Sequence, residues 1–376
     1  MSHPITVGTA TAQPGTIQYG RWDILDHPTG HTEFLPVIVA QGKADGPCLW
    51  LTAGIHGPEQ AGPSVIYRLI TQDLVERLRG TVVAIPALNP AGLRTMQREP
   101  YHAQTDPNRL WPDGKPEKPL DPDKEPPSSL ERAYRRLFEA VAASAGYVID
   151  YHNASTGSIS FAFRDRALYR ADQDAEQNKA EAEALSVTQE QMLRAYGHTI
   201  ITEFPAAKYV EEKLHRSTTA AALFVGHIPS FTVELGTGHM PDPAIVAASA
   251  AGTRNVMRWA GMLDGELEPI TGIKVVEPGF RVRRRSTPRV HEACVVLHLV
   301  QPGDLLKAGD VVAEVRDVWG RPLGDGLVRS ECEGFVIGRS RGIYYYPGDA
   351  VLWMAIRDED PIVAPYPEAY YRDDGA

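Results

Sequence analysis

The chain has 376 residues, of which 43% are hydrophobic and 23% charged, the ordinary range of a globular protein. Its 48 acidic and 38 basic residues give a formal net charge of -10, which argues against nucleic acid or an anionic membrane surface as a partner. Three distant cysteines without a CxxC spacing predict neither a disulfide framework nor a thiolate metal site. With no leader pattern and no window apolar enough for a membrane helix, we expect a cytoplasmic protein.

The first part of the chain alternates strand and helix patterns. Residues 48–57 predict a buried strand that runs into a glycine-rich turn, and residues 81–90 predict a second strand that ends at Asn-Pro. Between them, apolar residues at every fourth position predict a helix over about 61–79. The polar stretch 99–129, which includes the proline-rich run 112–127, predicts a long loop of the kind that often has a functional role.

The same alternation continues over the middle of the chain. Ser128 and Glu131 form the pattern of a capping box, which predicts the start of a helix. The elements predicted after that helix are a strand at 147–151, a charged helix at about 172–197, a buried strand at 230–236 and a helix at about 243–263. This alternation predicts an α/β fold, with a mixed, largely parallel sheet flanked by helices.

Beyond this point the helical periodicity disappears, and short strand patterns alternate with turns. The tripeptide Pro-Gly-Asp occurs at 302–304 and at 347–349, each time before a strand pattern, which predicts two related β units. We therefore predict two domains, an α/β domain at 1–265 and a smaller all-β domain at 266–376.

The turn GIHGPEQAG holds two candidate metal ligands, His56 and Glu59. An imidazole and a carboxylate at the end of a strand, where α/β sheets bind ligands, supply two of the three protein ligands that a catalytic zinc needs. The glycines Gly54 and Gly57 let the backbone turn sharply there. Taken alone, HxxE is a weak pattern, because it is common in proteins that bind no metal.

His152, in DYHNAS, follows a different predicted strand, so strand pairing can bring it beside the turn that holds His56 and Glu59. Asp150, two residues earlier, could orient an imidazole or pair elsewhere. Taken alone, His152 has a simpler explanation, as a histidine that ends a strand with its ring bonded to backbone.

Glu234 ends the apolar strand pattern in FTVELG. Buried carboxylates are rare unless they are paired or functional, and beside a metal this one could take a proton from water and pass it to a leaving amine. The structural alternative is an ion pair with Arg109 or Arg216. In DPNRLWPDG, Asn108 and Arg109 are neighbours, and a guanidinium group suits bidentate capture of a substrate carboxylate.

Two further features have more than one interpretation. His102, in the loop before Asp106, is a candidate to reach the same cleft. The run RVRRR at 281–285 predicts a strand whose arginines share one solvated or interfacial face, rather than a nucleic-acid site.

In their order along the chain, these motifs resemble the succinylglutamate desuccinylase and aspartoacylase family, a branch of the carboxypeptidase A-type zinc hydrolases. The resemblance covers about residues 45–260 and rests on the segments GIHGPE, LNPAGLRTMQR, DPNRLWP, DYHN and FTVELG. It implies a zinc carboxypeptidase-like α/β domain. It also implies a C-terminal β domain, similar to a biotinyl/lipoyl-type barrel-sandwich hybrid, that caps the cleft.

The resemblance further implies a zinc site and a base. It implies that His56, Glu59 and His152 hold one zinc ion per chain. It implies that Glu234 is the general base that activates the attacking water.

The resemblance also implies how a substrate is held. It implies that Asn108 and Arg109 grip the substrate carboxylate. Arg98, nine residues after Asn89, stands where the family has an arginine that polarises the scissile carbonyl, and Arg94 is the alternative. Departures from the family pattern, such as the proline of DPNR and the long proline-rich insertion, leave the metal ligands intact but could change the accepted acyl group or amine.

We therefore predict a zinc-dependent amidohydrolase (a deacylase) that hydrolyses the amide bond of a small N-acyl amino acid to a carboxylate and a free amine. The alternatives are a metallocarboxypeptidase that acts on peptides, and a non-catalytic binding protein on the same fold. Neither nucleic acid nor a membrane is an expected partner. The acyl group, the amino acid and homo-oligomerisation are left open.

Overall fold

A computed structural model describes residues 4–115, 126–154, 157–236, 238–339 and 342–372. Most of the proline-rich run lies outside these residues, so the long loop predicted there stays a prediction. In the described part of the chain, every helix is too short or too polar to cross a membrane.

The described residues form nine α-helices and twenty strands. The α-helices are α1 (Ala61–Leu69), α2 (Gln72–Arg77), α3 (Pro90–Thr95), α4 (Ser129–Ser144), α5 (Ala175–Tyr196), α6 (Ala206–Glu211), α7 (Thr218–Ala220), α8 (Pro243–Trp259) and α9 (Glu368–Tyr371). The strands up to the middle of the chain are β1 (Ile5–Val7), β2 (Ala10–Ala12), β3 (Thr16–Asp26), β4 (Thr32–Gln41), β5 (Ala44–Ala53), β6 (Arg79–Ile85), β7 (Tyr147–His152), β8 (Phe161–Arg164), β9 (Ala167–Tyr169), β10 (Thr199–Thr202) and β11 (Ser230–Glu234). The later strands are β12 (Val282–Ser286), β13 (Cys294–His298), β14 (Leu305–Leu306), β15 (Val311–Arg316), β16 (Pro322–Arg329), β17 (Gly334–Arg339), β18 (Tyr344–Tyr345), β19 (Leu352–Arg357) and β20 (Val363–Pro365).

Twelve strands form one mixed sheet in the order β14-β17-β19-β12-β10-β8-β11-β7-β5-β6-β4-β3. At its centre β6, β5, β7 and β11 are parallel to one another. Strand β8 runs antiparallel to β11 but parallel to β10, and β3 and β4 add an antiparallel hairpin at one edge. The predicted mixed, largely parallel sheet is therefore confirmed.

Helices cover both faces of the central strands, with a separate apolar core on each face. On one face α1, α5 and α8 pack on the sheet through buried residues such as Ile66, Leu193 and Met257. The core on the other face includes Leu137 and Val141 of α4. Removing these side chains from water is the main stabilising contribution of both layers.

One predicted helix differs from the observed structure. The helix predicted over 61–79 is two helices, because Ile70 takes an extended conformation and the Thr71 side chain caps α2. Apolar spacing continues across this break, so periodicity alone did not reveal it. The predicted cap of α4 is confirmed, since the Ser128 hydroxyl accepts the Glu131 N–H at 3.1 Å.

Residues 282–357 form two β layers, which we call the C-terminal β module. One layer consists of β14, β17, β19 and β12 and extends the main sheet beside β10. The other is the antiparallel sheet β16-β15-β13-β18. Both layers contribute to one apolar core, which includes Val296, Val312 and Met354. This is the predicted all-β part, with the two-layered form of a barrel-sandwich hybrid.

The proposed domain boundary falls in a segment without regular structure. Residues 260–281, between α8 and β12, hold neither helix nor strand. After the C-terminal β module the chain returns to the α/β part, where β20 pairs in parallel with β9. The main sheet contains strands from both sides of this boundary. The division into 1–265 and 266–376 is therefore a proposal.

Candidate metal centre

The site lies at the carboxyl ends of three adjacent parallel strands, β5, β7 and β11. Strand β7 ends at His152 and β11 ends at Glu234, and these two residues are partners in the strand register. His56 and Glu59 lie in the loop that connects β5 to α1. Parallel pairing thus brings all four residues to one edge of the sheet, where α/β proteins bind ligands.

His56, Glu59 and His152 converge through atoms that can bind a metal. Nδ1 of His56 lies 2.7 Å from Oε1 of Glu59, and Nδ1 of His152 lies 2.7 Å from Oε2 of Glu59. One ligand atom from each residue lies within 4.8 Å of the other two. Two imidazoles and one carboxylate are a ligand set of catalytic zinc sites.

The far nitrogen of each histidine contacts a carboxylate. Nε2 of His56 lies 3.0 Å from Oδ1 of Asp106, and Nε2 of His152 lies 2.9 Å from Oδ2 of Asp150. Asp150 is fully buried and also accepts the Thr52 hydroxyl at 2.7 Å. A carboxylate at Nε2 keeps a proton on that nitrogen and leaves Nδ1 free to bind a metal. For Asp150 this contact agrees with one of the two roles that the sequence allows. No sequence pattern predicted the corresponding contact of Asp106 with His56.

Glu59 is held as an anion between the two histidines. Burial opposes the charge, but His56 and His152 hold the pKa of Glu59 well below its usual range. The backbone N–H of Asn153 also donates to Oε2 at 3.3 Å. An ionised carboxylate that faces the Nδ1 atoms of two imidazoles fits a divalent cation.

Glu234 lies beside this ligand set at the end of β11. Its Oε2 is buried and has no hydrogen bond to the described residues. Burial, and then the charge of Glu59, raise the pKa of Glu234 to about 7. The alternative ion pair with Arg109 or Arg216 is not formed in the described structure, where Arg216 pairs with Glu131.

Arg98 lies at the rim of the same site. Its Nε and Nη2 donate to Oδ2 of Asp106 at 3.1 and 2.7 Å, and its Nη1 lies 3.6 Å from Oε1 of Glu59. Burial opposes the charge of Arg98, but Asp106 and Glu59 raise its pKa. The alternative, Arg94, donates to Glu33 and is not among the residues that line the cleft.

The loop that carries Arg98 is tied to the turn that carries the metal ligands. Asn89, of the Asn-Pro dipeptide, donates from Nδ2 to the carbonyl of Ile55 at 3.1 Å and to that of Arg98 at 3.4 Å. The Gly57 N–H donates to the Gln97 carbonyl at 3.0 Å. These bonds fix the position of the guanidinium relative to the ligand set.

Asn108 and Arg109 lie in a short 3-10 turn on the cleft wall. Oδ1 of Asn108 accepts the N–H and the hydroxyl of Thr218 at 2.9 and 3.0 Å. Arg109 donates from Nε to the Glu212 carbonyl at 2.8 Å and from Nη1 to the Asn108 carbonyl at 2.9 Å. Within the described part of the chain no hydrogen bond engages Nη2 of Arg109, which leaves it for a ligand.

All seven predicted site residues line one cleft, with a volume of about 950 Å³. Its wall also contains residues that the sequence analysis did not predict as site residues, among them Asp165, Glu203, Thr219, Thr232, Arg284 and Trp353. Arg284 belongs to the RVRRR run and Trp353 to β19, so the C-terminal β module contributes to the cleft. His102 is not among the lining residues.

The cleft wall holds two buried carboxylates of different character. Glu203 accepts Nε of Arg284 at 2.8 Å, whereas the described partners of the Asp165 carboxylate are hydroxyl groups, of Tyr209 at 2.8 Å and Thr219 at 3.3 Å. Burial, and then the charge of Glu203, raise the pKa of Asp165 to about 7. An acidic residue at the end of a short apolar run, as in FAFRD and TIITE, is the sequence signal that could have found both.

A sequence comparison agrees with this geometry. Residues 45–260, more than half of the chain, match the model of the succinylglutamate desuccinylase/aspartoacylase catalytic domain. The chain belongs to this family. The predicted enzyme class, a deacylase of the family, is therefore confirmed, and the alternative of a non-catalytic binding protein is not supported.

Individual relatives cover nearly the whole chain. The N-alpha-acetyl-L-2,4-diaminobutyric acid deacetylase of Halomonas elongata is 24% identical over 332 residues, which are 85% of each protein. The product-bound ectoine utilization protein EutE (DoeB) from Ruegeria pomeroyi has a TM-score of 0.67 at 18% identity, over 91% of this chain and 94% of that one. A succinylglutamate desuccinylase from Silicibacter sp. TM1040 has a TM-score of 0.68 at 17% identity, over 95% and 98%. These two structures share the fold of the family member described here.

For this family member the structure brings His56, Glu59 and His152 together as a site that could hold a metal. The identity and number of the ions stay predictions. So do the roles of Glu234 and Arg98, and the binding of a substrate carboxylate by Asn108 and Arg109.

Proposed function

We propose that this protein is a zinc-dependent amidohydrolase that cleaves a small N-acyl amino acid, with one zinc ion at His56, Glu59 and His152. The observation that carries the proposal is the buried Oε2 of Glu234, which no described residue hydrogen-bonds, beside two imidazoles and a carboxylate. A carboxylate in that position, with a pKa of about 7, is suited to proton transfer near neutral pH.

Zinc, when bound, supplies Lewis acidity that brings the pKa of water close to neutrality and polarises a carbonyl. Glu234 accepts the proton of the attacking water and returns it to the leaving amine. Arg98, fixed by Asp106 and by the backbone bond to Asn89, stabilises the negative charge that develops on the acyl oxygen.

The carboxylate of the substrate binds at Arg109 in this proposal. Two of the nitrogens of Arg109 already donate to backbone carbonyls, which fixes the guanidinium plane of this cleft-lining residue. Asn108 supports the same turn through its bonds to Thr218. A fixed, planar donor recognises a carboxylate with little further loss of side-chain freedom.

The cleft wall favours a substrate with a positively charged side chain. Asp165 is buried among hydroxyl partners, and no ion pair joins it to a cation in the described residues. A substrate ammonium group would give this carboxylate a charge partner inside the cleft. The related enzyme of Halomonas elongata is named for an α-acetylated diamino acid, whose second amine is free. We therefore propose an N-acetylated amino acid with a free side-chain amine.

The test of this function is Glu234→Gln. The amide keeps the size of the side chain but cannot accept the proton, so we expect zinc content near that of the wild type and a loss of kcat of about 100-fold or more. Exposed Glu76→Gln on α2 is the matched control and should keep wild-type turnover. A Glu234→Gln enzyme with wild-type kcat on a cleaved substrate would overturn the mechanism. Dipeptides in the same substrate panel test the alternative, a metallocarboxypeptidase.

A further inference from the structure

A second cluster of metal-binding side chains lies outside the cleft. His27, Glu33 and His102 each offer one ligand atom, and these atoms lie within 4.8 Å of one another. None of the three residues lines the cleft. We propose that they bind a second divalent cation of the zinc class, independently of the metal centre described above.

Two of the three separations between ligand atoms are close to those around a tetrahedral ion. Nε2 of His102 lies 3.2 Å, and Nε2 of His27 lies 3.7 Å, from the same atom, Oε2 of Glu33. Ligands at about 2.0–2.1 Å from a tetrahedral zinc ion lie about 3.3–3.4 Å from one another, a value between these two distances. The two imidazole atoms lie within 4.8 Å of each other, so one ion can contact all three side chains once they close on it.

His27 provides an observation that an ordinary ion-pair network does not explain. Its Nε2 is buried and has no hydrogen bond to any described residue, because the 3.7 Å separation from Glu33 is too long for one. Buried polar atoms without partners are rare and destabilising. An ion between the three side chains would bind this nitrogen directly.

Two of the three ligands are positioned by the hairpin between β3 and β4. The His27 N–H donates to the His31 carbonyl at 2.8 Å, which closes the turn, and Glu33 is paired with Leu25 across the hairpin. His102, from the loop after α3, packs edge-to-face against His27 with ring centroids 5.0 Å apart. The ligands are therefore held close together before an ion binds.

The two carboxylate oxygens of Glu33 have different partners, and Oε2 is placed to bind a metal. Its Oε1 accepts Nη2 of Arg94 at 2.9 Å, which leaves Oε2 for the two imidazoles. The side chains of His27 and His102 are 13% and 17% exposed, so an ion can enter and water can supply a fourth ligand.

An ion at this cluster would join the hairpin tip to the loop that carries Arg98 and Asp106. Arg98 lies near Glu59 and Asp106 contacts His56, whereas His102 contacts Glu33 of the hairpin. The proposed ion therefore has a structural role, and it adds a second ion to the one zinc per chain at the metal centre.

The experiment is a count of bound metal on the full-length protein. The chain is stripped with a chelator and titrated with Zn²⁺, and bound metal is measured by calorimetry and by elemental analysis. We expect two equivalents per chain for the wild type and one for His27→Ala and for Glu33→Gln. His152→Ala should also retain one equivalent, held by the hairpin cluster.

His31→Ala is the matched control, since His31 stacks on His27 at 5.9 Å but offers no ligand atom to the cluster. It should keep two equivalents, and circular dichroism should show that every variant is folded. The proposal would be overturned if His27→Ala and Glu33→Gln both bound as much zinc as the wild type. An inactive wild type with two bound ions would contradict the proposed function but not this second site.

Discussion

At the scale of single residues, two carboxylates decide which nitrogen each metal-site histidine presents. Asp106 and Asp150 contact Nε2 of His56 and His152, and both Nδ1 atoms point to Glu59. Such outer partners fix the tautomer and the ring orientation of a ligand. The proposed metal site therefore involves five side chains rather than three.

Replacing Asp150 with Asn should weaken zinc binding by about 10–100-fold. The amide nitrogen can donate to Nε2 of His152, which favours the tautomer with a proton on Nδ1 and removes a ligand. Zinc affinity measured by chelator competition checks this expectation. Asp73→Asn, on the exposed side of α2, is the control and should leave affinity unchanged. Equal affinity of Asp150→Asn and wild type would rule out the orienting role.

The second residue-scale prediction concerns pH and Asp165. Burial and the charge of Glu203 raise its pKa to about 7, so Asp165 loses its proton as the pH rises through neutrality. Ionised Asp165 attracts a substrate ammonium group, whereas the protonated acid does not. The preference for a cationic over a neutral side chain should therefore increase from about pH 6 to pH 8.

The measurement is the ratio of kcat/KM for N-acetyl-diaminobutyrate to that for an N-acetyl amino acid with a neutral side chain of similar size. Taking the ratio removes the titration of Glu234, which affects both substrates alike. In Asp165→Asn the ratio should be lower and should no longer depend on pH. A pH-independent ratio in the wild type would argue against Asp165 as the binding group.

At the scale of elements, the turn between β5 and α1 has to pack closely against the end of α3. A Cβ at Gly57 would lie 2.0 Å from the carbonyl oxygen of Gly92 and 2.3 Å from that of Gln97. The Gly57 N–H already donates to Gln97, so neither backbone segment can move independently. Glycine is required here by this close approach.

Gly57→Ala should destabilise the protein by about 1–3 kcal/mol and weaken zinc binding, because the clash separates the turn of His56 from the loop of Arg98. Urea unfolding and chelator competition measure the two effects. Gly146→Ala is the control, since the nearest atom to its Cβ would be 3.5 Å away, an ordinary contact. Unchanged unfolding and zinc affinity in Gly57→Ala would show that the two backbone segments can separate freely.

At the scale of the whole molecule, a buried ion pair joins the catalytic part to the segment that follows the C-terminal β module. Arg166 and Asp358 have fully buried side chains, and Nη2 of Arg166 donates to both oxygens of Asp358 at 2.9 and 3.0 Å. Arg166 also donates to the carbonyls of Phe204 and Pro361 at 2.8 Å. One guanidinium thus connects three segments beside the cleft-lining residue Glu203.

Asp358→Asn should lower the free energy of unfolding by about 3–5 kcal/mol, because it leaves the charge of Arg166 buried without its partner. Denaturant unfolding measures the change. Arg79 and Asp264 also form an arginine–aspartate pair with two hydrogen bonds, but an exposed one, and Asp264→Asn should change stability little. A loss no larger than that of the control would show that the pair is not a tether. The apolar double variant Arg166→Met/Asp358→Leu should recover part of the loss.

Local sequence patterns were sufficient to predict the elements that carry the candidate metal ligands. Strands β5, β7 and β11 and the cap of α4 follow from apolar runs and short-range hydrogen bonds, which a few consecutive residues determine. His56, Glu59, His152 and Glu234 were found for the same reason, since each stands at or just after such a strand. Parallel pairing then placed them together, as expected.

Partners distant along the chain could be seen only in the tertiary structure. Asp106 contacts His56 from 50 residues away, and Arg284 contacts Glu203 from 81 residues away. The cluster of His27, Glu33 and His102 likewise joins the β3–β4 hairpin to a loop after α3. Neither periodicity nor spacing encodes such contacts, because they depend on how separate layers pack. The sequence by itself therefore determined the fold class and the candidate ligands, while packing decided which side chains orient the ligands and line the cleft.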